Sequence, residues 1–113
     1  MKNLVGNMSR LLGESYLVDK LSIEVDVNLY PEKLSWLGDN VLMTGMAEFV
    51  LPGHKYKSAS YDLEVTEDGI VKSAKCSDPF HQHLIWLTAK ARKKDLAELI
   101  VDEKERGSLR KKP

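Results

Sequence analysis

The sequence predicts an α+β fold: a four-stranded antiparallel meander sheet with N- and C-terminal helices packed on one face (α-β-β-β-β-α). Three observations lead there. Leu21, Ile23, Val25, Val27 and Leu29 alternate with Ser22, Glu24, Asp26 and Asn28. That period of two marks a strand with one buried and one wet face, which suits an antiparallel sheet. Turn chemistry then recurs at short intervals, in Gly38-Asp39-Asn40, Pro52-Gly53 and Glu67-Asp68-Gly69, so consecutive strands join as hairpins. Apolar residues at helical spacing concentrate towards the two ends.

Each element follows from its residues. Leu4, Val5, Met8, Leu11 and Leu12 form one helical stripe that Gly13 or Ser15 ends. The alternating strand closes at Pro31, which has no N–H for a ladder. Residues 31–40 connect it to a second strand, Val41 to Leu51, in which Gly45 suggests a bulge. A third strand runs from Lys55 to Val65. Its apolar phase changes between Tyr56 and the set Tyr61, Leu63, Val65, which predicts a bulge near Ser58 to Ser60. Ile70 to Cys76 is the fourth strand. Ser77 or Asp78 before Pro79 is a helix start, a capping oxygen followed by the residue tolerated at the first helical position. Phe80, Leu84, Leu87 and Ala91, then Leu96, Leu99 and Ile100, carry the apolar face. One long helix kinked near Arg92-Lys93-Lys94 is expected, with a second start at Asp95 as the alternative. Gly107 ends it.

The length of 113 residues fits one domain, taken as residues 1–107 with a disordered basic tail at 108–113. Seventeen Lys plus Arg balance seventeen Asp plus Glu, which excludes a polybasic protein whose whole surface binds nucleic acid. With 42% apolar and 30% charged residues, the chain is too hydrophobic for disorder and too polar for a membrane protein. A single Cys excludes an internal disulfide and a multi-thiolate cluster. No apolar run reaches the roughly 20 residues of a membrane span, and no signal-peptide core is visible. A cytoplasmic chain with no membrane association is the expectation.

Dinucleotide and phosphate-loop glycine patterns are missing, as is a nucleophile elbow. Glu24 and Asp26 share the polar strand face roughly 7 Å apart, an arrangement a cation site or an acid–base pair could use; a solvated sheet face is the plainer reading. Cys76 lies just before a helix start near His81 and His83, a setting that can lower a thiol pKa; a small buried residue at a strand end is the plainer reading. Cys76, Asp78, His81 and His83 also offer a thiolate, a carboxylate and two imidazoles, the donor types of a zinc site, with His54 as a fallback. Residues two apart on a helix point to nearly opposite sides, so this set competes with the capping signal.

Residues 61–91 resemble a degenerate SWIM-type zinc domain, in which a hairpin leads to a Cys-x-Cys pair and a Cys-x-His pair opens an apolar helix. Tyr61 to Val65 and Gly69 to Val71 stand as the hairpin, Cys76 matches the first ligand and His83 the last, before Leu84-Ile85-Trp86-Leu87. Asp78 stands for the second Cys and His81 for the third, and only Pro79 and Phe80 separate the pairs. The resemblance implies a zinc-stabilised module contacting nucleic acid or a DNA-associated protein.

Residues 84–113 hold nine cations against five anions. Trp86 lies one helical turn from Lys90, ahead of Arg92, Lys93 and Lys94. A stacking aromatic beside cations suits single-stranded nucleic acid, although neighbouring acids dilute the patch. Tyr30, Trp36, Tyr56 and Tyr61, where exposed, would anchor a protein partner. The sequence thus predicts a small non-enzymatic binding or adaptor module without a required cofactor. Its expected partner is another protein or a second copy, with a zinc-stabilised nucleic-acid module as the alternative.

Overall fold

The computed structural model describes residues 12–18, 23–51, 53, 55–77, 79–107 and 109. Five strands come first: β1 (Leu12–Val18), β2 (Ile23–Leu37), β3 (Asn40–Leu51), β4 (Lys55–Val65) and β5 (Val71–Cys76). Two helices follow, α1 (Pro79–Ala91) and α2 (Lys93–Arg106). The strands form one antiparallel meander in the order β1-β2-β3-β4-β5. The α+β class holds, with five strands where four were expected.

The added strand occupies the residues on which the predicted N-terminal helix ended. Leu12 pairs with Leu29, and Gly13 with Asn28. Residues 4–11 of that helix lie outside the described residues. A short helix gains little on its own, whereas Leu12–Val18 on the edge of β2 satisfies backbone groups that would otherwise be left open.

β2 does not stop at Pro31. Its register with β3 slips between Pro31 and Lys33, so Glu32 is an extra residue that lets the strand pass the proline and run on to Leu37. Gly45 stands opposite Pro31, and a Cβ there would lie 2.1 Å from the Tyr30 carbonyl oxygen. The bulge thus sits across from Gly45, which makes room for it. β4 keeps an unbroken register with β3 from Lys55 to Val65. The irregularity expected near Ser58 to Ser60 lies instead between Glu64 and Val65, on the side of β5.

One face of the sheet is the core. Val25, Val27 and Leu29 from β2, Val41, Met43, Ala47 and Phe49 from β3, and Tyr61, Leu63 and Val65 from β4 are buried. Leu84, Ile85 and Ala89 of α1 and Leu96, Leu99 and Ile100 of α2 close over them. Five strands span roughly 19 Å, and α1, with 13 residues, is about 20 Å long. It contacts both edge strands, β1 and β5, as well as β2 and β4.

The C-terminal segment is two helices rather than one. Arg92 leaves helical geometry at φ −106°, ψ 32°. The buried face of α1 is His81, Leu84, Ile85, Thr88 and Ala89, rotated from the predicted stripe, since Leu87 is half-buried and Ala91 exposed. Thr88 enters that face because its hydroxyl donates to the Leu84 carbonyl at 2.8 Å. Gly107 ends α2 at φ +83°, its N–H donating to the Lys104 carbonyl. Leu109 is buried, and its N–H donates to the Glu103 carbonyl at 3.0 Å.

Candidate binding cleft between α1 and β5

The β4–β5 turn sets one wall. The Thr66 N–H donates to the Ile70 carbonyl at 2.8 Å, and the Thr66 hydroxyl accepts from the Ile70 N–H at 3.0 Å. Gly69 has φ +89°, and a Cβ on it would stand 2.2 Å from the Lys93 carbonyl oxygen. Only glycine gives both the left-handed backbone and the close approach. The turn thereby seats on the α1–α2 junction and brings Ile70 and Val71 beside α1.

The other wall is α1. His83, Trp86 and Lys90 recur at three and four residues, so they line one side of the helix. The Lys90 Nζ lies 4.8 Å from the Trp86 ring centroid, and the His83 ring stacks at 6.2 Å and 16°. Gly69, Ile70, Val71, Trp86, Lys90 and Lys93 enclose a cleft of about 180 Å³. Its floor is apolar, with Ile70 45% exposed.

The predicted cationic set is thus divided. Trp86, Lys90 and Lys93 meet at the cleft, and Lys94 is exposed nearby in sequence. Arg92 faces elsewhere: its Nε and Nη2 donate to the Gly13 carbonyl of β1 at 2.9 and 2.6 Å, and Nη1 lies 3.8 Å from Asp95. Ile70 and Val71 were not foreseen as site residues. Their sequence signal is weak, an apolar pair after Asp-Gly, and only the seating of the turn on Lys93 places them.

The residues of the zinc reading lie around the β5–α1 junction. Cys76 is half-buried and pairs with Tyr61 in register. Its N–H donates to the Gln82 side-chain oxygen at 3.1 Å, which ties the end of an edge strand to α1. His81 is buried with its ring 4.2 Å from that of Phe49, whereas His83 is exposed beside Trp86. The two imidazoles therefore occupy different environments, as helical geometry requires of residues two apart. Asp78 and His54 lie outside the described residues. Among the described residues, no group of three or more His, Cys, Asp or Glu side chains is gathered as for a metal ion.

The outer sheet face mixes acids with Lys33, Lys75 and the exposed Leu37 and Met46. Glu48 accepts from Asn28 at 3.1 Å and from the Tyr30 hydroxyl at 3.3 Å, and Asn40 donates to Glu64 at 2.7 Å. A groove of about 230 Å³ runs between Leu37, Leu42, Asp62, Glu64, Ser73 and Lys75. Of the aromatic anchor candidates, Tyr61 is in the core and Trp36 packs against it under the Lys104 ammonium, 5.6 Å from the ring centroid. The Tyr56 side chain is not among those described. No helix among the described residues is long and apolar enough to cross a membrane.

No protein-family model matches the chain, and neither a search of curated proteins nor one of solved structures finds a match.

Proposed function

We propose that this chain is a binding module, not an enzyme, and that it holds an anionic partner in the cleft between α1 and β5. The carrying observation is the apolar floor of Ile70, Val71 and Trp86 left open beside the ammonium groups of Lys90 and Lys93. Size narrows the ligand. Pockets for drug-sized molecules or cofactors run to roughly 300–1,000 Å³, so about 180 Å³ admits one ring or one side chain of a larger partner. Charge narrows it further, because two cations at the rim favour a partner with negative charge next to that ring.

The Lys90 ammonium already lies over the indole, so a ligand must improve on it. An exposed cation–π contact contributes about 0.5–1 kcal/mol. A ring stacked on Trp86 replaces that contact and frees Lys90 to pair with the anion.

The test follows the indole directly. Trp36→Phe leaves Trp86 as the single tryptophan of the two in the chain. Two anionic probes are titrated, a short single-stranded oligonucleotide and a short Asp/Glu peptide with a central Phe. A saturable fluorescence change with at least one probe, weakened by Lys90→Ala with Lys93→Ala, supports the reading, provided the probe is recovered with unchanged mass. No saturable change with either probe, or a chemically altered probe, overturns it.

A further inference from the structure

We infer that the partner of this cleft is a single-stranded nucleic acid, one base stacking on Trp86 while its flanking phosphates pair with Lys90 and Lys93. The inference rests on the cleft being the binding site and adds the chemistry of its occupant. A duplex keeps its base faces inside the stack, so a base must be unpaired to reach the indole. The cleft has room for one such ring, between the indole and the apolar pair Ile70 and Val71.

Phosphate spacing separates a base from a peptide side chain. Displacing the Lys90 ammonium from the indole costs about two- to fivefold in affinity, and a base on an aromatic ring returns roughly 5- to 150-fold. The strand also supplies a phosphate at each nucleotide, so the displaced ammonium finds an anion without a special sequence, as does Lys93 three residues on. On the opposite sheet face Asp26, Glu48, Asp62 and Glu64 outnumber Lys33 and Lys75, which favours a footprint on the side of α1.

The full chain is titrated with a labelled oligothymidylate of about ten nucleotides, an abasic oligomer of equal length and the matching duplex. The expected order is oligothymidylate tightest, with the abasic strand and duplex at least about fivefold weaker. With Lys90 and Lys93 engaged, the slope of log K against log salt is about −1.4, and a Lys→Ala change at either shallows it by about 0.7. Trp86→Leu, which keeps apolar bulk without a ring, lowers oligothymidylate affinity about fivefold or more and leaves the abasic strand unchanged. Trp86→Phe recovers part of that loss and guards against a folding defect. Equal affinity for the oligothymidylate and abasic strands, or indifference to Trp86→Leu, overturns the inference. Saturation by the acidic Phe peptide but not by the oligonucleotide also overturns it while leaving the binding-module reading in place; silence with both removes the two together.

Discussion

Arg92 joins parts of the chain that are 79 residues apart, because its guanidinium donates twice to the Gly13 carbonyl. Hydrogen bonds from a charged donor contribute about 1.5–3 kcal/mol, less where water screens them. With its side chain 38% exposed, Arg92→Ala is expected to lower stability by about 1–2 kcal/mol in urea denaturation. Arg92→Lys recovers only part, since an ammonium lacks the fork. Tyr61 presents the opposite situation. Its hydroxyl has no hydrogen-bond partner among the described residues. Burial, and secondarily the charge of Glu32, hold its phenol above the ordinary tyrosine value. In the unfolded chain it ionises near pH 10, so the folded state binds the extra proton and stability falls as pH rises through that value. Below it, the contribution is fully present. Tyr61→Phe therefore flattens the loss of stability above about pH 10; parallel alkaline curves for the two proteins would contradict this. With His81 in the core and His83 at the surface, the unfolding midpoint is expected to be indifferent to chelator and to be kept by Cys76→Ala combined with His83→Ala. A midpoint that falls with chelator in the unsubstituted chain, and without chelator in the double variant, would favour the zinc reading.

At the scale of elements, two glycines with positive φ separate backbone strain from close contact. Gly38 has φ +62° and open space within 4 Å of where a Cβ would stand, whereas Gly69 combines φ +89° with the Lys93 carbonyl at 2.2 Å. Gly38→Ala should cost about 1–2 kcal/mol, the left-handed penalty alone. Gly69→Ala should cost clearly more, because the turn must lift from the helix junction, and it should also weaken binding at the cleft. Equal losses by thermal or urea unfolding would show that the turn does not seat on Lys93. The same scale shows what could be read in advance. Val25, Val27 and Leu29 alternate and are buried as expected, because a period of two is local. β2 running past Pro31 was not legible, since it depends on Gly45 in the neighbouring strand. Nor was the helix break at Arg92 settled, because its partners are Gly13 and Asp95 together.

For the whole molecule, the strand order puts β3 at the centre, paired on both sides and buried along its core face. Amide exchange is expected to be slowest in β3 and its pairings with β2 and β4, and faster in β5, an edge strand. Uniform protection across the five strands would argue against this layering. The candidate cleft belongs to this scale as well. Trp86 and Lys90 were visible as an aromatic and a cation at helical spacing, because residues four apart on one helix meet whatever else the fold does, whereas Lys93 stands past the break at Arg92 and opens α2. Sequence periodicity and turn residues were enough for an antiparallel meander followed by an amphipathic helical segment, since both depend on near neighbours in the chain. The fifth strand, the removal of Arg92 from the cationic cluster and the apolar floor of Ile70 and Val71 emerged when distant segments packed. Each depends on a contact between residues far apart in the chain: Leu12 with Leu29, Arg92 with Gly13, and Gly69 with Lys93.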